Sequence, residues 1–225
     1  MKKHVAPLII ALAAFATNVF AQDGYVTFAT RLHTVFDEFT TPSTGVFAPG
    51  DVEATFLWAL TGTPDPLGTE VATTGVNYTA SNWSAISSMV SSGWNIAEDA
   101  GNGNAEADVA VYPIGVGIGS IGYNNGASFE LANTIGGDTY EIIVIGWDNL
   151  TGATTLEEGM VNNVPVGWSN EFEYSTGASI TAPTSFFTSS GMNPFGAAPV
   201  PEPATITLAG LGGFSLICLR HRKKI

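Results

Sequence analysis

The sequence predicts an all-β fold, an antiparallel β-sandwich with one short helix, flanked by an apolar helix at each end of the chain. Three observations carry this expectation. Short runs with period-two alternation recur between clusters of turn-forming residues. Glycine is abundant, with 26 residues beside many Thr, Ser and Asn, a composition of strands and turns rather than helices. A single interior stretch shows helical spacing.

The elements follow in chain order. Lys2 and Lys3 precede a short apolar run within Val5–Val19, and Val19-Phe20-Ala21 places small or aliphatic residues before a cut site. This is the pattern of a secretory signal peptide over residues 1–21, cleaved between Ala21 and Gln22 and handled by the general secretion machinery. Tyr25–Phe28 alternates and predicts a first strand. Val52–Leu60 predicts a second, and Ala107–Tyr112 a third that Pro113 ends. Ser128–Ala132 and Thr139–Trp147 predict a hairpin, with Gly136-Gly137-Asp138 as its turn. Glu171–Tyr174 is another short strand. Trp83, Ile86, Met89, Val90 and Trp94 fall at helical spacing behind Ser81 or Asn82 as N-cap, which predicts a helix over 83–92. Ser185–Thr188 reads as a final strand closing a domain at 22–190. The Pro- and Gly-containing segment 191–199 then reads as a spacer.

The last segment, 200–225, has three parts. Val200-Pro201-Glu202-Pro203 is followed by Ala204–Leu219, which carries no charge, and by Arg220, Arg222, Lys223 and Lys224. As a helix, 204–219 reaches ~24 Å at ~1.5 Å per residue, somewhat short of a hydrocarbon core ~30 Å thick. The basic end would hold the C-terminus on the cytoplasmic side. An ordinary single-span anchor accounts for the same features.

Residues 200–225 closely resemble the PEP-CTERM sorting tail of Gram-negative bacteria. Val-Pro-Glu-Pro-Ala-Thr, Leu-Ala-Gly-Leu-Gly-Gly and Arg-His-Arg-Lys-Lys carry the resemblance. It implies that Pro201, Glu202 and Pro203 are recognised by an exosortase, and that 204–219 is a transmembrane sorting helix held transiently in the inner membrane. It further implies delivery to the cell surface or extracellular matrix of a bacterium that exports polysaccharide. The domain loosely resembles the β-rich secreted domains of PEP-CTERM proteins from Verrucomicrobia-like bacteria, on Val26–Leu32, Phe56–Leu60, Tyr140–Asp148, Val166–Phe172 and Phe186-Phe187. That second resemblance implies no activity.

Charge bounds the partners. Residues 22–199 hold Arg31 as their one basic side chain, no lysine, and all but one of the 20 acidic residues of the chain. Such a surface repels nucleic acid and anionic lipid. It suits solubility or divalent cations. The one cysteine, Cys218, lies in the tail, so no disulfide supports the domain. His33 is its one histidine, too few nitrogen and sulfur ligands for zinc.

Several patterns bear on chemistry. Gly117-Ile-Gly-Ser-Ile-Gly122 has the spacing of a dinucleotide loop, but Tyr123-Asn-Asn-Gly126 follows with turn chemistry where that loop needs a helix. Gly115, Gly117 and Gly119 instead predict the bare face of a strand. Asp99, Asn102, Asn104, Glu106 and Asp108 are candidate calcium ligands, since hard oxygens are what the ion requires; an extended chain would present the last four on one side. No cofactor is required by any pattern, and calcium is the one metal the residues suit. Asp37-Glu38 and Glu157-Glu158 are adjacent carboxylates, a poor match to the converging pair of a glycosidase. A serine-histidine site would have to use His33. Of five tryptophans, 58, 83, 94 and 147 are expected in the core, and Trp168 is expected exposed, as a glycan contact. The expectation is therefore a non-catalytic exported surface or matrix protein associated with exopolysaccharide. A carbohydrate-binding module and a secreted glycan hydrolase are the alternatives.

Overall fold

A computed structural model describes residues 22–30, 34–36, 52–65, 67, 80–111, 119–149, 152–180, 185 and 187–196. The strands are β1 (Gly24–Val26), β2 (Val35–Phe36), β3 (Val52–Leu60), β4 (Asn95–Ile96), β5 (Glu98–Asp99), β6 (Ala105–Glu106), β7 (Val109–Ala110), β8 (Phe129–Leu131), β9 (Thr139–Asp148), β10 (Val166–Trp168), β11 (Phe172–Ser175) and β12 (Phe195–Gly196). Two helices accompany them, α1 (Ala80–Ser91) and α2 (Leu156–Asn162). The antiparallel sandwich expected from the sequence is observed, with one helix more than expected.

The larger sheet runs β10-β9-β3-β4, with β11 also on β9 and β7 also on β3. Its spine is the β3–β9 ladder, in register from Val52 opposite Asp148 to Leu60 opposite Tyr140. The smaller sheet runs β1-β8-β5-β6. A parallel pair, β2 with β12, stands apart from both.

The period of a strand explains the layering. Successive side chains of β3 and β9 point to opposite faces, and both sets are apolar. Phe56, Trp58, Tyr140, Ile142 and Val144 face the smaller sheet and join Phe28, Phe129 and Leu131 in one core. Leu57, Ala59, Ile143, Ile145 and Trp147 face the helices and join Trp83, Ile86, Met89 and Leu156 in another. The larger sheet is therefore a middle layer, buried on both sides. Phe187 plugs the first core, its ring within 5.1–5.3 Å of Phe28, Phe56, Phe172 and Tyr174. Such edge-to-face rings add ~0.5–1.5 kcal/mol per pair beyond their burial.

The chain moves between sheets where the sequence suggested simple turns. The hairpin expected from 128–132 and 139–147 does not form. β8 pairs with β1 and β5, whereas β9 pairs with β3, β10 and β11. Gly136-Gly137-Asp138 is a turn, but it carries the chain from one sheet to the other. The segment 95–110 crosses in the same way. β4 and β7 flank β3 in the larger sheet, β5 and β6 pair in the smaller one, and the Ala107 amide donates to the Ala97 carbonyl at the crossing. Of the expected third strand, Val109–Ala110 is a strand, Ala107 and Asp108 form the crossing, and Tyr112 lies outside the described residues.

Three boundaries differ from expectation. Ser185–Thr188 is not a strand: Phe187–Ser189 forms a 3-10 turn. The spacer does not begin at 191, because Met192 and Phe195 are buried in the first core and β12 pairs with β2. The additional helix α2 is fixed by a capping box, in which Thr155 accepts from the Glu158 amide and Glu158 reaches back to the Thr155 amide. Residues 1–21 and 200–225, Arg31, His33, Asp37, Glu38, Gly115 and Gly117 lie outside the described residues. No helix among the described residues is long and apolar enough to cross a membrane.

Gly159 shows how closely α2 sits on the sheet. A Cβ there would lie 2.9 Å from Trp83 Cη2 and 3.2 Å from Trp147 Cδ1. Helix propensity alone favours alanine over glycine by ~1 kcal/mol, whereas overpacking costs ~1–3 kcal/mol. Gly159→Ala is expected to lower unfolding stability in urea; a gain would show that the tryptophans yield freely.

Candidate functional site

An open groove of about 510 Å³ lies beside the smaller sheet, lined by Tyr25, Asp99, Asn102, Tyr123, Asn124 and Glu130 among others. Strand register sets its floor. Tyr25 stands opposite Glu130, between the pairs Gly24–Leu131 and Val26–Phe129. Val26, Phe129 and Leu131 belong to the core, so period two turns Tyr25 and Glu130 outward. The β5–β6 turn sets the wall. Asp99 Oδ1 accepts from the Gly101 amide at 2.9 Å, capping a 3-10 turn at Ala100–Asn102, and its Oδ2 accepts from the Tyr123 hydroxyl at 3.1 Å. The Tyr123 ring stands edge-on to Phe129 with centroids 4.8 Å apart. Burial, with Asp99 beside it, pushes Tyr123 up to about 12, so its hydroxyl remains a donor at any physiological pH.

The five candidate calcium ligands are not presented together. The expectation assumed an extended chain, but 98–106 folds back as a hairpin, with Asn104 in the left-handed region at φ 60°. Asp99 and Asn102 line the groove. Asn104 is exposed in the turn. Glu106 and Asp108 lie at the crossing between sheets. Among the described residues, no three His, Cys, Asp or Glu side chains gather as a group able to hold a metal ion.

The crossing creates a carboxylate cluster that sequence spacing did not reveal. Glu106 Oε1 accepts from the Leu156 amide at 3.0 Å, at the start of α2. Glu53 Oε1 accepts from Asn149 Nδ2 at 2.8 Å. Burial pushes Glu53 up to about 7, and nearby Asp108 adds to the shift. Burial also pushes Glu106 up to about 7, opposed by its bond from Leu156. Asp108 is raised, again chiefly by burial. A second pair lies at the other end of the β3–β9 ladder. Glu141 accepts from the Gly62 and Thr63 amides at 2.7 and 3.2 Å. Burial and the neighbouring Glu141 push Glu171 up to about 7. The adjacent pair Glu157-Glu158 is exposed on α2, and Glu158 is held low by bonds from Thr154 and Thr155.

The expected exposure of Trp168 is overturned. Trp168 is 5% exposed and belongs to the helix-side core, and its buried indole N–H finds no hydrogen-bond partner. Residues 166–168 form a strand on β9, which places the indole under the helix layer. The other four tryptophans are buried as expected. The aromatic side chains beside acids are instead Tyr25 and Tyr123. Alternation about Val26 could have flagged Tyr25; nothing local marks Tyr123, because Asp99 and Phe129 reach it only through the fold.

The raised carboxylates make stability pH-dependent with a definite sign. The folded state binds protons more tightly than the unfolded chain, so these groups reduce stability as pH rises from about 4.5, the ordinary glutamate value, to about 7. Melting temperature is expected to be higher at pH 5 than at pH 7.5. Glu106→Gln keeps an acceptor for the Leu156 amide, so it should raise the melting temperature at pH 7.5 and flatten the profile. An unchanged profile would mean that Glu106 is ionised without strain in the fold.

Residues 199–223 match the family model for the PEP-CTERM protein-sorting motif. No curated protein and no solved structure matches the chain.

Proposed function

We propose that this protein is a non-catalytic component of the cell surface or extracellular polysaccharide matrix of a Gram-negative bacterium. The sorting motif at 199–223 carries the reading: it implies export, processing by an exosortase and sorting to the cell envelope. In this reading the signal peptide ends at Ala21 and the general secretion machinery delivers the chain. Pro201-Glu202-Pro203 is the recognition element, 204–219 the membrane stop and 220–224 the cytoplasmic lock. Two features of the domain support a binding role over turnover. The groove offers aromatic rings beside acids and amides, the surface of a sugar-binding module. The carboxylates Glu53, buried, and Glu106, partly buried, lie outside the groove lining and accept bonds from Asn149 and Leu156.

Two measurements test this. The intact mass of the exported protein should correspond to a chain that begins at Gln22 and ends near Pro203. Glu202→Ala should leave the tail, including Cys218, on the protein; a wild-type mature chain that keeps Cys218 would instead identify a plain anchor. Retention of the exported protein on polysaccharide from its own producer should saturate, and the polymer should emerge undegraded. Shortened polymer would favour a hydrolase.

A further inference from the structure

We propose that the groove between the β1–β8 pair and the β5–β6 turn binds a saccharide that is neutral or carries amino groups, and excludes uronic acids. The proposal deepens the matrix reading and rests on it. It assigns both the contact residues and the charge class of the polymer.

The groove is built to be rigid where a sugar would touch it. Tyr123 is fixed twice, by its ring against Phe129 and by its hydroxyl on Asp99. Tyr25 is fixed by the β1–β8 register, and its hydroxyl accepts from Gln22 Nε2 at 3.0 Å. Aromatic faces already in place reduce the ordering that binding demands. The volume of about 510 Å³ falls in the range of small-ligand sites.

The polar lining suits groups that donate. Asp99 and Glu130 are acceptors, and each Asp99 oxygen is engaged by one donor and has a further lone pair. Asn102 and Asn124 both donate and accept, as sugar hydroxyls do. An ammonium group would gain a charge-assisted bond to a carboxylate. A uronate would meet two carboxylates, and no Lys, Arg or His among the described residues offsets them. Like charges at this range repel, and the surrounding acidic surface adds to the barrier.

The test titrates the exported protein with three oligosaccharides of equal length: glucosamine, N-acetylglucosamine and glucuronate oligomers. Calorimetry should show binding to at least one of the first two and none to the third. Binding to glucosamine alone, weakened by salt, assigns an ammonium contact; binding to both assigns hydroxyl contacts. Tyr25→Ala and Glu130→Gln should each weaken binding about tenfold, which corresponds to ~1.4 kcal/mol. Both residues are partly buried, so an unchanged melting temperature is the control that each variant keeps the fold. No binding to either uncharged or amino oligomer, equal binding of glucuronate, or full affinity in the Tyr25→Ala/Glu130→Gln double variant would overturn the proposal. If that double variant is still retained on the producer's polysaccharide, the groove assignment falls and the matrix reading stands. If the oligomers bind through the groove while the producer's polymer is ignored, the matrix reading falls.

Discussion

The β3–β9 ladder, apolar on both faces, is the constraint on which the rest of the structure depends. A sheet with one dry face needs one covering layer. Here Phe56 and Ile142 need the smaller sheet while Leu57 and Ile143 need the helices. Neither cover is optional, since either one removed exposes a row of large side chains, each worth ~1.5–3 kcal/mol when buried. The same burial explains why Glu53 is perturbed. Glu53 and Glu141 share the helix-side face of the ladder near its opposite ends. Each is supplied with donors: Asn149 for the first, the Gly62 and Thr63 amides for the second.

Those donors matter because the usual remedy is missing. No lysine, arginine or histidine occurs among the described residues, so no acid there is neutralised by an ion pair with another described residue. What remains is a backbone or amide donor, as at Asp99, Glu141, Glu53 and Glu106, and a raised affinity for the proton, as for Glu53, Glu106 and Glu171. A domain that would carry a large negative charge at neutral pH thus sheds part of it inside its own fold. With no disulfide to assist, apolar burial and backbone pairing hold it together.

What could be read from the sequence follows a physical line. β3 and β9 were legible end to end, because long apolar β-rich runs have few other fates. The helix α1 was legible from its tryptophan, isoleucine and methionine spacing. Strand partnership was not. Gly136-Gly137-Asp138 has good turn chemistry, but a turn does not specify which sheet receives the next strand. The helix α2 is too short for periodicity to show, although Thr155 and Glu158 were in place as a capping box. The burial of Trp168 is not legible locally, since it depends on the helix layer brought over from elsewhere in the chain. The acidic stretch was misjudged because alternation was assumed to mean extension; Gly103 and Asn104, both left-handed, bend it back. The groove was half legible, with Asp99 and Asn102 visible as oxygen donors and both tyrosines overlooked.

The late burial of Phe195 sets the length of a leash. From the end of β12 at Gly196 to the Pro201-Glu202-Pro203 triplet, the chain has only Ala197–Val200 to spend. Even with the motif itself pulled straight to Pro203, ~3.3–3.6 Å per residue gives a reach of ~25 Å. That is about the width of a small folded domain. An enzyme that processes this tail must therefore work almost in contact with the finished fold, and one side of the domain will face it at every encounter. Bulk added near β2 or β12 should matter to that meeting more than the same bulk placed at the groove.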